Sequence, residues 1–263
     1  MTTTLYYFTG TGNSLKMAKD ISQNLGNSEC VSIPKALEQD QKIEAPEVMG
    51  IVFPVYYYGV PQIVRKFIET VNLDKTKYIF VVVTFAKGLP GGAISQMKKA
   101  LHLKGKELSS GFYVRMVDNF ILWTWDVTSE KKHNSLHQNA ERKAEEIAQI
   151  VAERGSKVEQ GLMEHIGPFI LDYQGFLNKV NTGDKDFYST EECNSCGLCA
   201  KVCSVKNIKM VDGKPLWLSL TCQRCLACLH LCPKKCIQFG EKTKKRKRYV
   251  NPFIKINELI NED

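Results

Sequence analysis

Two segments, CNSCGLCAKVC at residues 193–203 and CQRCLACLHLC at residues 222–232, hold eight of the chain's ten cysteines. Both read C-x2-C-x2-C-x3-C, and Pro233 follows the second. Three thiolates at two-residue intervals can wrap one face of an iron–sulfur cube, while the fourth, three residues on, reaches the neighbouring cube. Two such runs in tandem specify two 4Fe–4S clusters with crossed ligation. Cys193, Cys196, Cys199 and Cys232 are assigned to one, and Cys222, Cys225, Cys228 and Cys203 to the other. A pair of four-thiolate zinc sites is the alternative, but zinc knots separate their CxxC pairs by longer spacers. Disulfides are disfavoured because eight cysteines sit at metal-like spacing and the N-terminus, MTTTLYYFTG, reads as no export signal, so a reducing interior is expected.

Outward from the cysteines, the hairpin pattern at Asn207–Leu218, with Asp212-Gly213 at its turn, separates the blocks and lets them fold as two similar halves. Beyond the second block the run Lys242 to Arg248 is almost wholly basic. Residues 181–263 carry 15 Lys+Arg against 9 Asp+Glu, whereas residues 1–180 carry 21 against 19. The run could suggest a nucleic-acid patch, but no aromatic stacking pattern accompanies it. No nucleic acid is expected, and docking of an acidic redox partner is the functional reading, beside that of a solvated face. Cys30 and Cys236 are expected to be small buried hydrophobes. The five histidines form no constellation; His133 and His137, at i,i+4, are expected on the solvated face of a charged helix.

The N-terminal half alternates strand and helix patterns. Strands are expected at 3–8, 30–33, 50–55, 78–84 and 111–117, with helices after each of the loops at 9–14, 56–59 and 85–92 and a charged helix from 129 to 154. That alternation predicts an α/β domain with a doubly wound five-stranded parallel sheet. Its ligand should bind at the carboxyl ends of the strands. Thr9, Gly10, Thr11, Gly12, Asn13 and Ser14 follow the first strand and open a helix, an arrangement suited to one phosphate. It lacks the GK[ST] ending of a Walker A loop and the GxGxxG of a dinucleotide site. Tyr57, Tyr58 and Gly59 offer aromatic faces; Phe85, Gly91 and Gly92 belong to a glycine-rich loop that can approach a ring. Trp123 and Trp125 are candidates to cap a ligand or to pack.

On these motifs residues 3–155 resemble a flavodoxin, which implies FMN held by the 9–14 loop and sandwiched by the other two. Residues 187–240 resemble a bacterial two-cluster ferredoxin, a small α+β domain, although Ser204 stands where such ferredoxins carry proline after the fourth cysteine. The whole chain is similar to a family of flavodoxin–ferredoxin fusions. The expected division is a flavodoxin-like domain at 1–155, a connector at 156–186, a ferredoxin-like domain at 187–240 and a basic tail at 241–263. The expected function is electron transfer between FMN and two 4Fe–4S clusters, in the cytoplasm, with redox proteins as partners and no membrane span; the longest apolar run, Tyr78 to Phe85, is far too short for one. An FMN-dependent reductase of a small substrate and a redox-sensing interaction module are the alternatives.

Overall fold

A computed structural model describes residues 2–39, 42–86, 88, 90–122, 127, 130–161, 183–219 and 222–260. Trp123, Trp125 and most of the 156–186 connector lie outside the described residues. The chain divides into two compact units. Met1–Thr9, Asn13–Val117 and Glu130–Tyr173 form the first, and Gly10–Gly12, Asp118–Ser129 and Gln174–Asp263 form the second.

The first unit is a parallel sheet of β1 (Thr3–Tyr7), β2 (Ser28–Ser32), β3 (Val48–Pro54), β4 (Tyr78–Phe85) and β5 (Ser110–Arg115), in the order β2-β1-β3-β4-β5. Strand alternation decides which side chain meets which helix layer. Leu5 and Tyr7 point to one face, where α1 (Asn13–Leu25) and α5 (Glu130–Ala152) cover them with Met17, Ile21, Ala144 and Ile147. Tyr6 points to the other and meets Phe67 of α3 (Gln62–Thr70), with ring centroids 4.7 Å apart. β4 reads YIFVVVTF and is buried through Thr84, as a central strand covered on both faces must be. Gly50 of β3 leaves the space that the Phe80 ring of β4 fills; a Cβ there would stand 2.4 Å from Phe80 Cζ.

Several elements depart from the sequence expectation for local reasons. β2 ends at Ser32, because Pro34 opens a short unexpected helix, α2 (Ile33–Glu38). Pro61 caps α3, and its carbonyl accepts from the N–H groups of Val64 and Arg65. His137 is buried at 5 % exposure, contrary to the solvated-face expectation, because α5 turns that side toward α1. Burial holds its pKa below the ordinary histidine value, with His133 and Lys16 adding to the effect.

The second unit is built on two short antiparallel ladders, β6 (Phe187–Ser189) with β9 (Ile237–Phe239) and β7 (Ile208–Val211) with β8 (Lys214–Trp217). Between them lie α6 (Leu198–Lys201) and α7 (Ala227–Leu231), each starting inside a cysteine block. Phe187 joins the ladders, stacked on Trp217 at 5.8 Å and edge-on to Phe239 at 4.8 Å. The segment after 240 is folded rather than loose: Thr243, Tyr249, Asn251, Ile254 and Leu259 are buried. No helix among the described residues is long and apolar enough to cross a membrane.

Candidate functional site

The two cysteine blocks adopt the same backbone at a constant offset of 29 residues. Ser195 and Arg224 have φ of 59° and 48°, Gly197 and Leu226 of 71° and 62°, and Lys206 and Lys235 of 50° and 51°. Left-handed backbone is costly for residues with a Cβ, so its recurrence at matched non-glycine positions marks a turn shape that the cysteines require. The turns bring backbone N–H groups onto sulfur. Asn207 N–H donates to Cys203 Sγ at 3.2 Å, and Arg224 N–H to Cys222 Sγ at 3.4 Å. Backbone N–H groups at matched positions favour the charged form of the fourth cysteine in each block: Val205, Asn207 and Ile208 around Cys203, and Lys234, Cys236 and Ile237 around Cys232. Donors of this kind stabilise sulfur that carries negative charge.

Cys203, Cys222, Cys225 and Cys228 line one space, walled by Phe187, Trp217 and Ile208. The first block's fourth cysteine thus joins the second block's first three. The thiols sort the same way electrostatically. Burial pushes Cys199 up to about 11, and the thiols that add to the rise are Cys196, Cys232 and Cys193. Burial pushes Cys222 up to about 12 and Cys225 up to about 11, with Cys203 contributing to both. Cys228 is raised first by burial, then by Cys225, Cys222 and Cys203, with Cys199 last. Thiols this reluctant to ionise need a cation to become ligands, since metal binding displaces their protons. Among the described residues no three His, Cys, Asp or Glu side chains are close enough to share a single metal ion.

The neighbours of the two fourth cysteines differ. Beside Cys203 stands the Asn207 side chain, which donates from Nδ2 to Asp184 Oδ2 at 2.7 Å. At the position 29 residues on stands Cys236, 4 % exposed, with its Sγ 3.3 Å from Cys232 Sγ. Although burial alone would raise it, Cys232 is held below the ordinary thiol range by the Cys236 thiol and backbone donors; burial raises Cys236 to about 12. Cys236 is therefore buried as the sequence expects, and its sulfur also pairs with that of Cys232, a contact its isolated position did not signal.

The 9–14 loop is more enclosed than an open turn. Gly10 to Ser14 are all buried. A Cβ on Gly10 would stand 2.3 Å from the Cys225 carbonyl oxygen, so glycine is required there. Thr11 Oγ1 accepts from Asn119 Nδ2 at 2.8 Å, and the Thr11 carbonyl accepts from Asn251 N–H at 2.8 Å. Asn119 in turn accepts at its carbonyl from His230 Nε2 at 2.7 Å. Tyr249 N–H donates to His230 Nδ1 at 3.1 Å, which fixes the neutral Nε2–H tautomer. Burial lowers His230 to about 4, with Arg248 adding to the drop and the Asn119 carbonyl opposing it. His230 is thus a bracing residue on α7 that no sequence motif marked. Asn13 Nδ2 donates to the Val117 carbonyl at 2.9 Å, and Ser14 Oγ pairs with Thr84 Oγ1 at 2.8 Å. Of the two buried hydroxyls, Thr11 uses its oxygen to accept the Asn119 bond.

Tyr57 and Tyr58 form a tight turn with φ of 50° and 66°, closed by reciprocal bonds between Tyr56 and Gly59 at 3.0 and 2.9 Å. Two adjacent tyrosines in this region are a strained arrangement of the kind that gathers at binding sites. Gly92 N–H donates to the Tyr58 carbonyl at 3.0 Å, and a Cβ on Gly91 would come within 2.3 Å of that oxygen. Tyr57, Tyr58, Gly59, Gly91 and Gly92 are therefore brought together at the carboxyl end of the sheet. Phe85 closes the set edge-on to Tyr113, at 6.2 Å. Tyr58 is 48 % exposed, whereas Tyr57 is half-buried.

A five-stranded parallel sheet in this order and a twice-repeated cysteine cage, carried by one chain, define a flavin and iron–sulfur electron-transfer protein. Residues 4–115 match the family model of the flavodoxin domain, and residues 185–233 match that of the 4Fe–4S dicluster domain. The chain is a flavodoxin–ferredoxin fusion. Its fold is similar to that of a flavodoxin from the domain Archaea, at 15 % identity over 57 % of this chain and 99 % of that one, with a TM-score of 0.39. It is also similar to a Trp repressor binding protein from Bacillus subtilis, at 16 % identity, 56 % and 96 % coverage and a TM-score of 0.37. A third similar structure is rubredoxin oxygen:oxidoreductase from the anaerobe Desulfovibrio gigas, at 13 % identity, 58 % and 36 % coverage and a TM-score of 0.35. No curated protein matches the chain.

Proposed function

We propose that this chain carries one FMN and two 4Fe–4S clusters and passes electrons between them and redox partner proteins of the cytoplasm. The observation that carries the reading is the company of Cys203: it lines one space with Cys222, Cys225 and Cys228, the set that crossed ligation of two cubes requires. Cys193, Cys196, Cys199 and Cys232 would hold the other cluster. The domain boundaries expected from sequence, 1–155, 187–240 and a segment from 241, are kept in this reading.

A flavin accepts one or two electrons and a cluster passes one, so their combination couples one-electron carriers to a two-electron centre. The chain's own residues do the rest. The matched N–H groups around Cys203 and Cys232 favour their deprotonated form, and the Asn207 N–H also holds the Cys203 sulfur in place. Phe187 and Trp217 keep water from the Cys203 space. Thr9 to Ser14 would bind the phosphate, with the Thr11 hydroxyl aimed by Asn119. The Tyr57–Tyr58 turn and the Gly91–Gly92 backbone would hold the ring. Cofactor analysis of the full chain, prepared without oxygen, tests this. About eight irons and eight acid-labile sulfides per chain are expected, together with one FMN. About four irons, or FAD in place of FMN, would overturn it.

A further inference from the structure

The two cysteine blocks share a backbone but not an electrostatic setting, and the difference is concentrated at their fourth ligands. Asp184 is 1 % exposed. Its Oδ2 accepts from Asn207 Nδ2 at 2.7 Å and from Ser219 N–H at 2.8 Å. Its Oδ1 is buried without a hydrogen-bond partner among the described residues. No described cation pairs with it; the nearby Arg224 guanidinium is committed to the Gly183 carbonyl at 3.1 Å. A carboxylate fully withdrawn from water without an ion pair is costly to keep. Through Asn207, whose N–H donates to Cys203 Sγ, it stands directly behind one ligand, and its field reaches Cys203 and Cys222. The equivalent place in the other block holds Cys236. Once Cys232 is a thiolate ligand it can only accept, so the Cys236 S–H must be the donor across the 3.3 Å gap.

Resting on the two-cluster reading above, we infer that these neighbours make the clusters unequal, with Asp184 the positioning residue that keeps the Cys203 cluster at the more negative potential. A buried negative charge disfavours an added electron, and a hydrogen bond to a ligand sulfur favours it. Reduction is the entry of one electron into either cluster, supplied in the assay by dithionite, with no bond made or broken. The Cys232 cluster then fills first and the Cys203 cluster second, which gives the pair a fixed order of loading.

Redox titration of the full chain, loaded with both clusters and followed by EPR, tests this. Wild type should show two separate waves. Asp184→Asn keeps an acceptor for Asn207 and Ser219 but removes the charge. It should make reduction of the more negative cluster about tenfold easier, about 59 mV for one electron, and leave the other wave in place. Asp184→Glu should restore the wild-type value, and Asp186→Asn, an exposed neighbour, should change nothing. Cys236→Ala should move only the upper wave, downward, and so narrow the gap from the other side. If Asp184→Asn fails to load, Cys196→Ser in the wild-type background labels the Cys232 cluster; the upper wave must then be the one that moves. A single wave in wild type, an Asp184→Asn protein with both waves unmoved, or a label on the lower wave would each overturn the assignment. A wild-type protein that binds only one cluster would instead refute the two-cluster reading.

Discussion

The halves of the cysteine cage are near copies in backbone and opposites in surroundings. At matched positions they share left-handed turns and backbone N–H groups that favour the charged form of the fourth cysteine. Yet one half ends on Ser204 with Asp184 and Asn207 behind it, and the other on Pro233 with Cys236 and His230. The comparison teaches that repeated spacing specifies where ligands go, while unrepeated neighbours specify what each ligand feels.

The strongest way to break the symmetry is through Gly10, which packs only on the second block. Gly10→Ala drives a Cβ into the Cys225 carbonyl, a backbone atom that cannot swing aside. Overpacking of this kind costs about 1–3 kcal/mol, and Cys225 sits on the distorted segment. The variant should melt earlier and lose iron selectively from the cluster held by Cys222, Cys225 and Cys228; normal iron content with wild-type melting would show that the contact is slack.

Next in size is Arg248, which donates to the Ile237 carbonyl at 3.2 Å, to Gln238 Oε1 at 3.1 Å and to the Thr243 carbonyl at 3.0 Å. It braces the strand whose first N–H serves Cys232. Loss of hydrogen bonding from a charged group costs about 1.5–3 kcal/mol, without the loss of iron expected at Gly10, so Arg248→Ala should lower the melting temperature clearly. Exposed Lys245→Ala in the same basic run should leave stability unchanged and alter only the salt dependence of partner association. Equal effects on melting would mean that the run acts as a single surface patch.

The smallest test compares Gly197 with Leu226. Both are left-handed, but a Cβ on Gly197 would meet nothing within 4 Å. Gly197→Ala should therefore cost only the conformational strain, about 1–2 kcal/mol. Denaturant unfolding of the apo chain would measure it; a larger loss would reveal a packing constraint on the first block that the second, with Leu226 already in place, does not share.

Legibility in the sequence follows the same division. The proposed ligand set is readable because its eight cysteines recur at fixed intervals. The sheet is readable because its strands are continuous apolar runs such as Tyr78–Phe85. Asp184, Asn119 and His230 are not, since each works through contacts with residues distant in sequence, and a lone Asp, Asn or His carries no spacing. α2 is hidden because Pro34, which stops β2, also starts a helix. The burial of His137 is hidden because the charges around it mask the apolar stripe of α5, whose Ala140, Ala144 and Ile147 face the core.

Crossed ligation is the central claim, and Cys203 tests it most directly. Cys203→Ser, loaded without oxygen and examined by EPR and iron content, should damage the same cluster as Cys222→Ser and leave intact the one damaged by Cys196→Ser; Cys232→Ser should do the reverse. If Cys203→Ser instead abolishes the signal that Cys196→Ser abolishes, each block holds its own cluster and crossed ligation is wrong.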